Sequence, residues 1–240
     1  MKNLLVDLGN TTAKVAFSEE GRLGEIFRCN KEQEQDFVLE LLTSHPVDTL
    51  VLSSVRSVDA HWEALLSRQV RRYLRFDPLT QDVLKNDYAT PHTLGADRLA
   101  AAVGAQALFP DQDLLIFDFG TAITIDRITR DGTFCGGNIS LGLASRFRAL
   151  HEFTGKLPLL EAPQETGGLG TSTQSAMQQG VALGIIFEVE GYLRRFSDHL
   201  PIFTGGDAFY FAEKMKTPIF AVYNLVLTGL ARVAERNAIE

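Results

Sequence analysis

The sequence predicts an α/β protein made of two duplicated halves with a cleft between them. Three observations carry this. Leu4-Leu5-Val6-Asp7-Leu8-Gly9-Asn10-Thr11-Thr12 returns as Leu115-Ile116-Phe117-Asp118-Phe119-Gly120-Thr121-Ala122-Ile123-Thr124, aligning Asp7 with Asp118 and Gly9 with Gly120. Each copy is an apolar strand that delivers an Asp, a Gly that bends the chain, and an alternating segment: Ala13, Val15 and Phe17 in one, Ile123 and Ile125 in the other. Segments of helical spacing alternate with further short apolar runs, the pattern of helices layered on sheets.

The elements follow in order. Each hairpin closes on a turn signal, Glu20-Gly21 or Asp131-Gly132. Lys31 to Ser44 has helical spacing through Phe37, Leu41 and Leu42, and Pro46 ends it. Thr49-Leu50-Val51-Leu52-Ser53-Ser54-Val55 is a buried strand, and His61 to Tyr73 a helix with Trp62, Leu65, Leu66 and Val70 on its apolar face. The Arg68, Arg71, Arg72 and Arg75 cluster then reads as a solvated helix face. Alanine-rich Asp97 to Leu108 is a strong helix, and Phe109-Pro110-Asp111-Gln112-Asp113 a polar break before the second copy. The halves divide there, as 1–112 and 113–240. Leu143 to Phe153 and Ser172 to Phe196 are helices, with Gly180, Gly184 and Gly191 of the second expected to permit close packing. Ile202-Phe203-Thr204-Gly205-Gly206-Asp207-Ala208 is a strand opening into a glycine turn, and Asn224 to Arg236 a closing helix.

Composition narrows the function. In 240 residues, 45% are apolar and 22% charged, which excludes disorder. Acids outnumber bases 30 to 23 with no basic tract, so nucleic acid is not an expected partner. No apolar run is long enough for a secretory or membrane segment, so the expectation is a soluble, cytoplasmic protein away from membranes. Cys29 and Cys135 lack disulfide or zinc spacing, and His45, His61, His92, His151 and His199 have no ligand spacing.

The chemistry concentrates in three places. Asp7 and Asp118, carried at equivalent strand ends, would face each other across the cleft and suit a hydrated magnesium ion that also meets nucleotide phosphates. The Gly9-Asn10-Thr11-Thr12 turn can aim N–H groups and hydroxyls at a phosphate, whereas strand alternation leaves the direction of Lys14 open. Thr204-Gly205-Gly206 and Gly136-Gly137 each let backbone approach a ligand, the second also reading as a tight hairpin. Leu94-Gly95-Ala96-Asp97-Arg98 supplies a carboxylate in the first turn of a helix, positioned to act as a base, and a guanidinium fork for a substrate carboxylate. A Gly-x-Ser-x-Gly elbow is absent, which removes support for a hydrolase of that type.

These motifs, with Gly136-Gly137-Asn138-Ile139 and Gly170-Thr171-Ser172-Thr173, give the chain a resemblance along nearly its whole length to the type III pantothenate kinases of the acetate and sugar kinase, heat-shock protein 70 and actin superfamily. The resemblance implies two RNase H-like domains with the fold of actin-like ATPases, and ATP-dependent phosphorylation of pantothenate to 4'-phosphopantothenate, the first step of coenzyme A biosynthesis. By position it implies Asp97 as proton acceptor, and Tyr88, Gly95, Ala96, Asp97, Arg98 and Thr173 as pantothenate contacts. Asp7, Leu8, Gly9, Asn10, Thr11, Thr12, Ala13, Lys14 and Thr121 would line ATP, and Asp118 would bind a monovalent cation, K+ or NH4+, beside the Mg2+ that accompanies ATP. The family forms homodimers. Leu141 stands where the family more often has proline, and Asp207 where an apolar residue is commoner. A kinase for another acceptor and a non-catalytic nucleotide-binding regulator are the competing expectations; the presence of both Asp97 and Asp118 argues against the latter.

Overall fold

The computed structural model describes residues 2–237. In chain order its elements are β1 (Lys2–Leu8), β2 (Thr12–Glu19), β3 (Arg22–Asn30), α1 (Glu34–Ser44), β4 (Thr49–Ser54), α2 (Ala60–Gln69), β5 (Arg72–Arg75), β6 (Lys85–Asn86) and, after a short 3-10 turn, α3 (Ala96–Leu108). Then come β7 (Leu114–Phe119), β8 (Ala122–Ile128), β9 (Thr133–Leu141), α4 (Leu143–Phe153), α5 (Thr173–Arg195), β10 (Leu200–Gly205), α6 (Ala208–Ala212), β11 (Phe220–Ala221) and α7 (Leu225–Arg236). Contacts group them into two units. Of the described residues one holds 2–111, 129–135 and 224–237, the other 112–128 and 136–223, so α7 belongs with the first unit although a single division at residue 112 places it in the second half.

In the first unit the strand order is β3-β2-β1-β4-β5. β1 runs antiparallel to β2 and parallel to β4, with Asp7 opposite Lys14 on one side and Ser53 on the other. Its residues from Asn3 to Leu8 are all buried, because both faces are covered. Leu4, Val6 and Leu8 join Val38, Leu42, Trp62 and Leu66 in a core beneath α1 and α2. Asn3, Leu5 and Asp7 take the opposite face by the two-residue period. The second unit repeats the plan: β9-β8-β7-β10-β11, with β7 antiparallel to β8 and parallel to β10. Leu115, Phe117 and Phe119 face α4, α5 and α6, and Phe119 stacks on Phe211 at 5.0 Å. Asp118 takes the opposite face, as Asp7 does.

The hairpin signal at Glu20-Gly21 forms a turn with positive φ at both residues, 49° and 69°, the geometry that matches strand twist. Three readings are corrected. The helix from His61 ends at Gln69, because Val70 turns extended and Arg72–Arg75 pairs in parallel with Thr49–Leu52 as an edge strand. Only Arg68 of the basic cluster is therefore helical, and Arg75 Nη1 instead lies 3.6 Å from Glu63 on α2. Gly180 and Gly191 have nothing within 4 Å of a built Cβ, so among the described residues they serve no close packing. Gly136-Gly137 is neither hairpin nor open turn: it lies inside β9, and a Cβ on Gly137 would sit 2.0 Å from the Ile125 carbonyl oxygen.

Close packing occurs instead between α3 and α7. A Cβ on Gly104 would lie 2.3 Å from the Leu225 carbonyl oxygen, and one on Gly229 1.9 Å from that of Ala100. The two backbones thus touch along one face of α3, the helix whose first turn carries Asp97 and Arg98. Gly229→Ala forces that contact apart and is expected to cost about 1–3 kcal/mol, lowering Tm by roughly 2–10 °C. The measurement is paired thermal melting with Gly155→Ala, whose Cβ meets nothing within 4 Å and whose Tm should hold.

Candidate active site

The first unit's turn is built for display. Leu8 and Ala13 pair across the hairpin and are fully buried, so they hold the turn from below, while Asn10, Thr11 and Thr12 are exposed at its tip. The Gly9 N–H donates to the Thr12 carbonyl at 3.0 Å, and the Lys31 N–H to that of Thr11 at 3.3 Å. A Cβ on Gly9 would stand 2.9 Å from the Thr12 oxygen, which accounts for glycine there. Lys14 is settled by register. It lies directly opposite Asp7, so both side chains emerge on one face, in a cross-strand row Lys14–Asp7–Ser53. Asp7 is 8% exposed, and among the described residues Ser53 Oγ is buried with no hydrogen-bond partner.

The second unit's turn is one residue shorter, with the Gly120 N–H donating to the Ala122 carbonyl at 3.0 Å. The matching row is Thr124–Asp118–Thr204. Thr121 is exposed, and its carbonyl accepts from the Gly142 N–H at 3.0 Å and from Ser145 Oγ at 2.7 Å, both at the start of α4. Gly205 has φ +94°, and a Cβ there would lie 2.4 Å from Asp118 Oδ1 and 2.5 Å from the Phe119 oxygen. The glycine in Thr204-Gly205-Gly206 is therefore required by Asp118 and its neighbour. Gly206, by contrast, is exposed with nothing within 4 Å, free for a ligand's approach. The Asp207 N–H donates to the Phe119 carbonyl at 3.2 Å, and burial pushes the Asp207 carboxyl above its ordinary pKa.

On α3, Gly95 is the N-cap and Asp97 sits in the first turn, where the helix dipole favours a carboxylate. Asp97 Oδ1 accepts from the Arg98 N–H at 2.8 Å. This fold-back needs Gly95, whose Cβ would stand 2.5 Å from that oxygen. Ala96 is buried and Arg98 6% exposed, its guanidinium 5.5 Å from the ring centre of Tyr88 and 5.9 Å from that of Phe134. The two rings present π faces to a largely desolvated cation. Tyr88 is held by its N–H donating to Asn86 Oδ1 at 3.1 Å. Burial raises the Asp97 carboxyl above its ordinary value near 3.8, and the N–H and positive charge of Arg98 partly offset this.

Thr173 stands apart from Asp118 and Thr121. It is the first residue of α5, after Ser172, which with Ser175 forms a reciprocal cap. It lines an apolar cavity of about 820 Å³ bounded by Leu141, Arg146, Leu150, Phe153 and Met177, and neither Asp118 nor Thr121 is in its wall. Among the described residues, no group of three His, Cys, Asp or Glu is arranged to hold a metal.

Sequence reasoning missed the braces. Phe134 flanks Arg98, Gly142 and Ser145 hold the Thr121 carbonyl, and Arg56 holds Gly9, donating from Nε to the Gly9 carbonyl at 3.0 Å. A signal for Arg56 existed. It follows the strand Thr49–Ser54, and a parallel neighbour of β1 must end at the same sheet edge as the turn.

Comparison with known proteins gives a consistent answer. A family model described as type III pantothenate kinase matches residues 3–195. Proteins of that name from Phocaeicola vulgatus and Porphyromonas gingivalis are 39% and 38% identical, over 98% of this chain and 98% of each relative. One from Flavobacterium johnsoniae is 37% identical over 95% of this chain and 96% of its own. Among solved structures, a Campylobacter jejuni protein assigned as a Baf family transcriptional activator superposes with TM-score 0.67 at 22% identity, covering 99% of this chain and 100% of that one. An activator of 2-hydroxyisocaproyl-CoA dehydratase from Clostridium difficile, with bound ADPNP, gives TM-score 0.59 at 13% identity over 100% and 96%.

The site carries a cost in stability. A carboxyl whose pKa is raised on folding loses its proton more easily in the unfolded chain, so stability falls as pH rises from the ordinary value through the folded one. At neutral pH Asp97 therefore opposes folding. Asp97→Asn should melt higher than the parent at pH 7.5, with the gain shrinking as the pH is lowered, as followed by calorimetry. Gly205→Ala should melt lower, by about 1–3 kcal/mol for the positive φ and the overlap.

Proposed function

The chain belongs to the type III pantothenate kinases, which phosphorylate pantothenate with ATP in the first step of coenzyme A biosynthesis, and we propose that Asp97 is its proton acceptor. The observation that carries the assignment is the fold-back at the start of α3: a half-buried carboxylate anchored at 2.8 Å to the next N–H, with a desolvated guanidinium beside it. The units carry the fold shared with sugar kinases and actin-like ATPases. The remaining residue roles follow from the matched motifs and the local chemistry.

The pantothenate primary hydroxyl attacks the γ-phosphorus as the bond to the β,γ-bridging oxygen breaks, and its proton passes to an Asp97 carboxylate oxygen, yielding 4'-phosphopantothenate and ADP. The pKa raised by burial makes Asp97 a stronger base than an exposed aspartate. Gly95, Ala96 and Asp97 offer backbone and carboxylate to the acceptor. Arg98, steadied between Tyr88 and Phe134, presents charge to the pantothenate carboxylate. Thr173, in the wall of an apolar cavity, is proposed as a pantothenate contact on its motif alone.

Asn10, Thr11 and Thr12 supply N–H and hydroxyl donors to ATP phosphates, with Lys14 adding charge on the face of Asp7. Asp7, Leu8, Gly9 and Ala13 form the frame, and Thr121 adds a further exposed hydroxyl. The donors at the two strand ends are oxygens, which suits hard cations. Asp7 with the unpartnered Ser53 Oγ beside it fits a hydrated Mg2+, and the Asp118 carboxylate is the oxygen donor the motif offers to K+ or NH4+. When bound, such ions would neutralise phosphate charge. Exposed Leu141, Phe153 and Phe187, at 53%, 85% and 61% of their surface, together with the bare Gly180 and Gly191 of α5, support a homodimer through this face in a cytoplasmic enzyme.

Asp97→Asn is expected to abolish turnover while retaining Mg·ADP affinity within about twofold, measured by ADP release and calorimetry. Near-parental turnover removes Asp97 from the mechanism. In the parent, kcat/KM for pantothenate should fall on acidification with a midpoint above the ordinary aspartate value. A rate flat down to that value would contradict the same role.

A further inference from the structure

We propose that Arg56 and Glu34 are a positioning pair for ATP: they hold the peptide between Gly9 and Asn10 so that the Asn10 N–H is presented to a nucleotide phosphate. The inference rests on the reading of the Gly9–Thr12 turn as the phosphate site and adds residues that none of the matched motifs contains.

Arg56 follows β4, whose last turn of backbone joins the hairpin through the Val55 N–H donating to the Leu8 carbonyl at 3.2 Å. Its backbone is fixed by Ser54, whose Oγ accepts from the Arg56 N–H at 3.2 Å and donates to the Arg56 carbonyl at 2.8 Å. Its guanidinium then makes two kinds of bond. Nη2 donates to both carboxylate oxygens of Glu34, and Nε donates to the Gly9 carbonyl at 3.0 Å. Glu34 is 3% exposed and lies in the first turn of α1, where a negative charge is favoured. A carboxylate so placed is held by its helix and by its partner, so the guanidinium has one orientation rather than many.

The consequence follows from peptide geometry. In a planar trans peptide the N–H points opposite to the carbonyl of the same unit. Fixing the Gly9 oxygen on Arg56 therefore fixes the Asn10 N–H in the reverse direction, away from the Arg56–Glu34 pair and out of the turn. Asn10 itself is exposed, and among the described residues no side-chain hydrogen bond of its own does this work. A cation on the carbonyl also polarises the peptide and strengthens its N–H as a donor. The other two turn bonds, Gly9 N–H to Thr12 and Lys31 N–H to Thr11, leave that peptide's rotation unset. Lysine cannot replace arginine here, because one ammonium on a flexible stem does not span the carboxylate and the carbonyl in a fixed fork.

The test is steady-state kinetics and Mg·ADP calorimetry on Arg56→Lys, Glu34→Gln and, as a control on the phosphate site itself, Lys14→Ala. Arg56→Lys keeps a cation against the buried carboxylate, and Glu34→Gln keeps the Arg56 bond to Gly9 while loosening its anchor, so one folded variant suffices. The expectation is an ATP KM raised about tenfold in Arg56→Lys, the loss of one charged hydrogen bond, and by less in Glu34→Gln. The KM for pantothenate should hold within about twofold. If Lys14→Ala raises the ATP KM and neither pair variant does, the positioning role is overturned and the phosphate site stands. Should all three leave ATP affinity unchanged, the reading of the turn fails as well. Equal rises in both KM values would mark a general loosening and also overturn the proposal.

Discussion

The molecule depends on burying a strand that ends in a carboxylate. In each unit the central strand, β1 or β7, is covered on both faces along nearly its whole length, and its only acid arrives one residue before the strand ends. The apolar residues of the strand make the sheet worth forming, and the same burial fixes where the carboxylate emerges. A parallel neighbour on one side and an antiparallel hairpin on the other then bring β4 and its unit's turn, and in the other unit β10 and its turn, to the end of that unit's own sheet where the carboxylate emerges. Chemistry gathers at that edge because main-chain ends, turn N–H groups and helix starts all fall there.

The supporting structure is a set of close approaches. Gly104 and Gly229 let α3 and α7 touch, Gly205 lets the chain cross Asp118, Gly95 lets Asp97 fold back, and Gly170 lies so close to α5 that its Cβ would stand 2.1 Å from the Ala176 nitrogen. Each is a place where one methyl group would displace a backbone carrying a functional residue. Exposed donors stand on this rigid base: Asn10, Thr11, Thr12 and Thr121 have their carbonyls or their neighbours' carbonyls tied down and their outward groups left open.

Much of this was legible in the sequence for physical reasons. The duplicated strand and hairpin showed because burial demands apolar residues at fixed period, and the helices α4, α5 and α7 showed at nearly their observed limits because their residues are spaced for a helix. Arg72–Arg75 was misread because a short edge strand with arginines at both ends satisfies helical spacing equally well; pairing with β4, a non-local bond, decides it. The glycines of α5 were misread since spacing alone does not say whether a small residue meets a neighbour. The functional motifs were legible where one segment holds them all, as in Gly95-Ala96-Asp97-Arg98. Glu34, Phe134 and Ser145 were not, because their roles exist only when segments far apart in the chain meet, and Arg56 left only its place after β4 as a signal.

The central claim is that this fold transfers the γ-phosphoryl group of ATP to the hydroxyl of pantothenate. Its most direct test is ADP release by the purified protein with ATP and Mg2+, with pantothenate, a hexose or acetate as acceptor, in potassium and again in sodium. The account predicts release with pantothenate alone, and in potassium far above sodium. Release with the hexose or acetate, or none with pantothenate at saturating ATP in either salt, would contradict it.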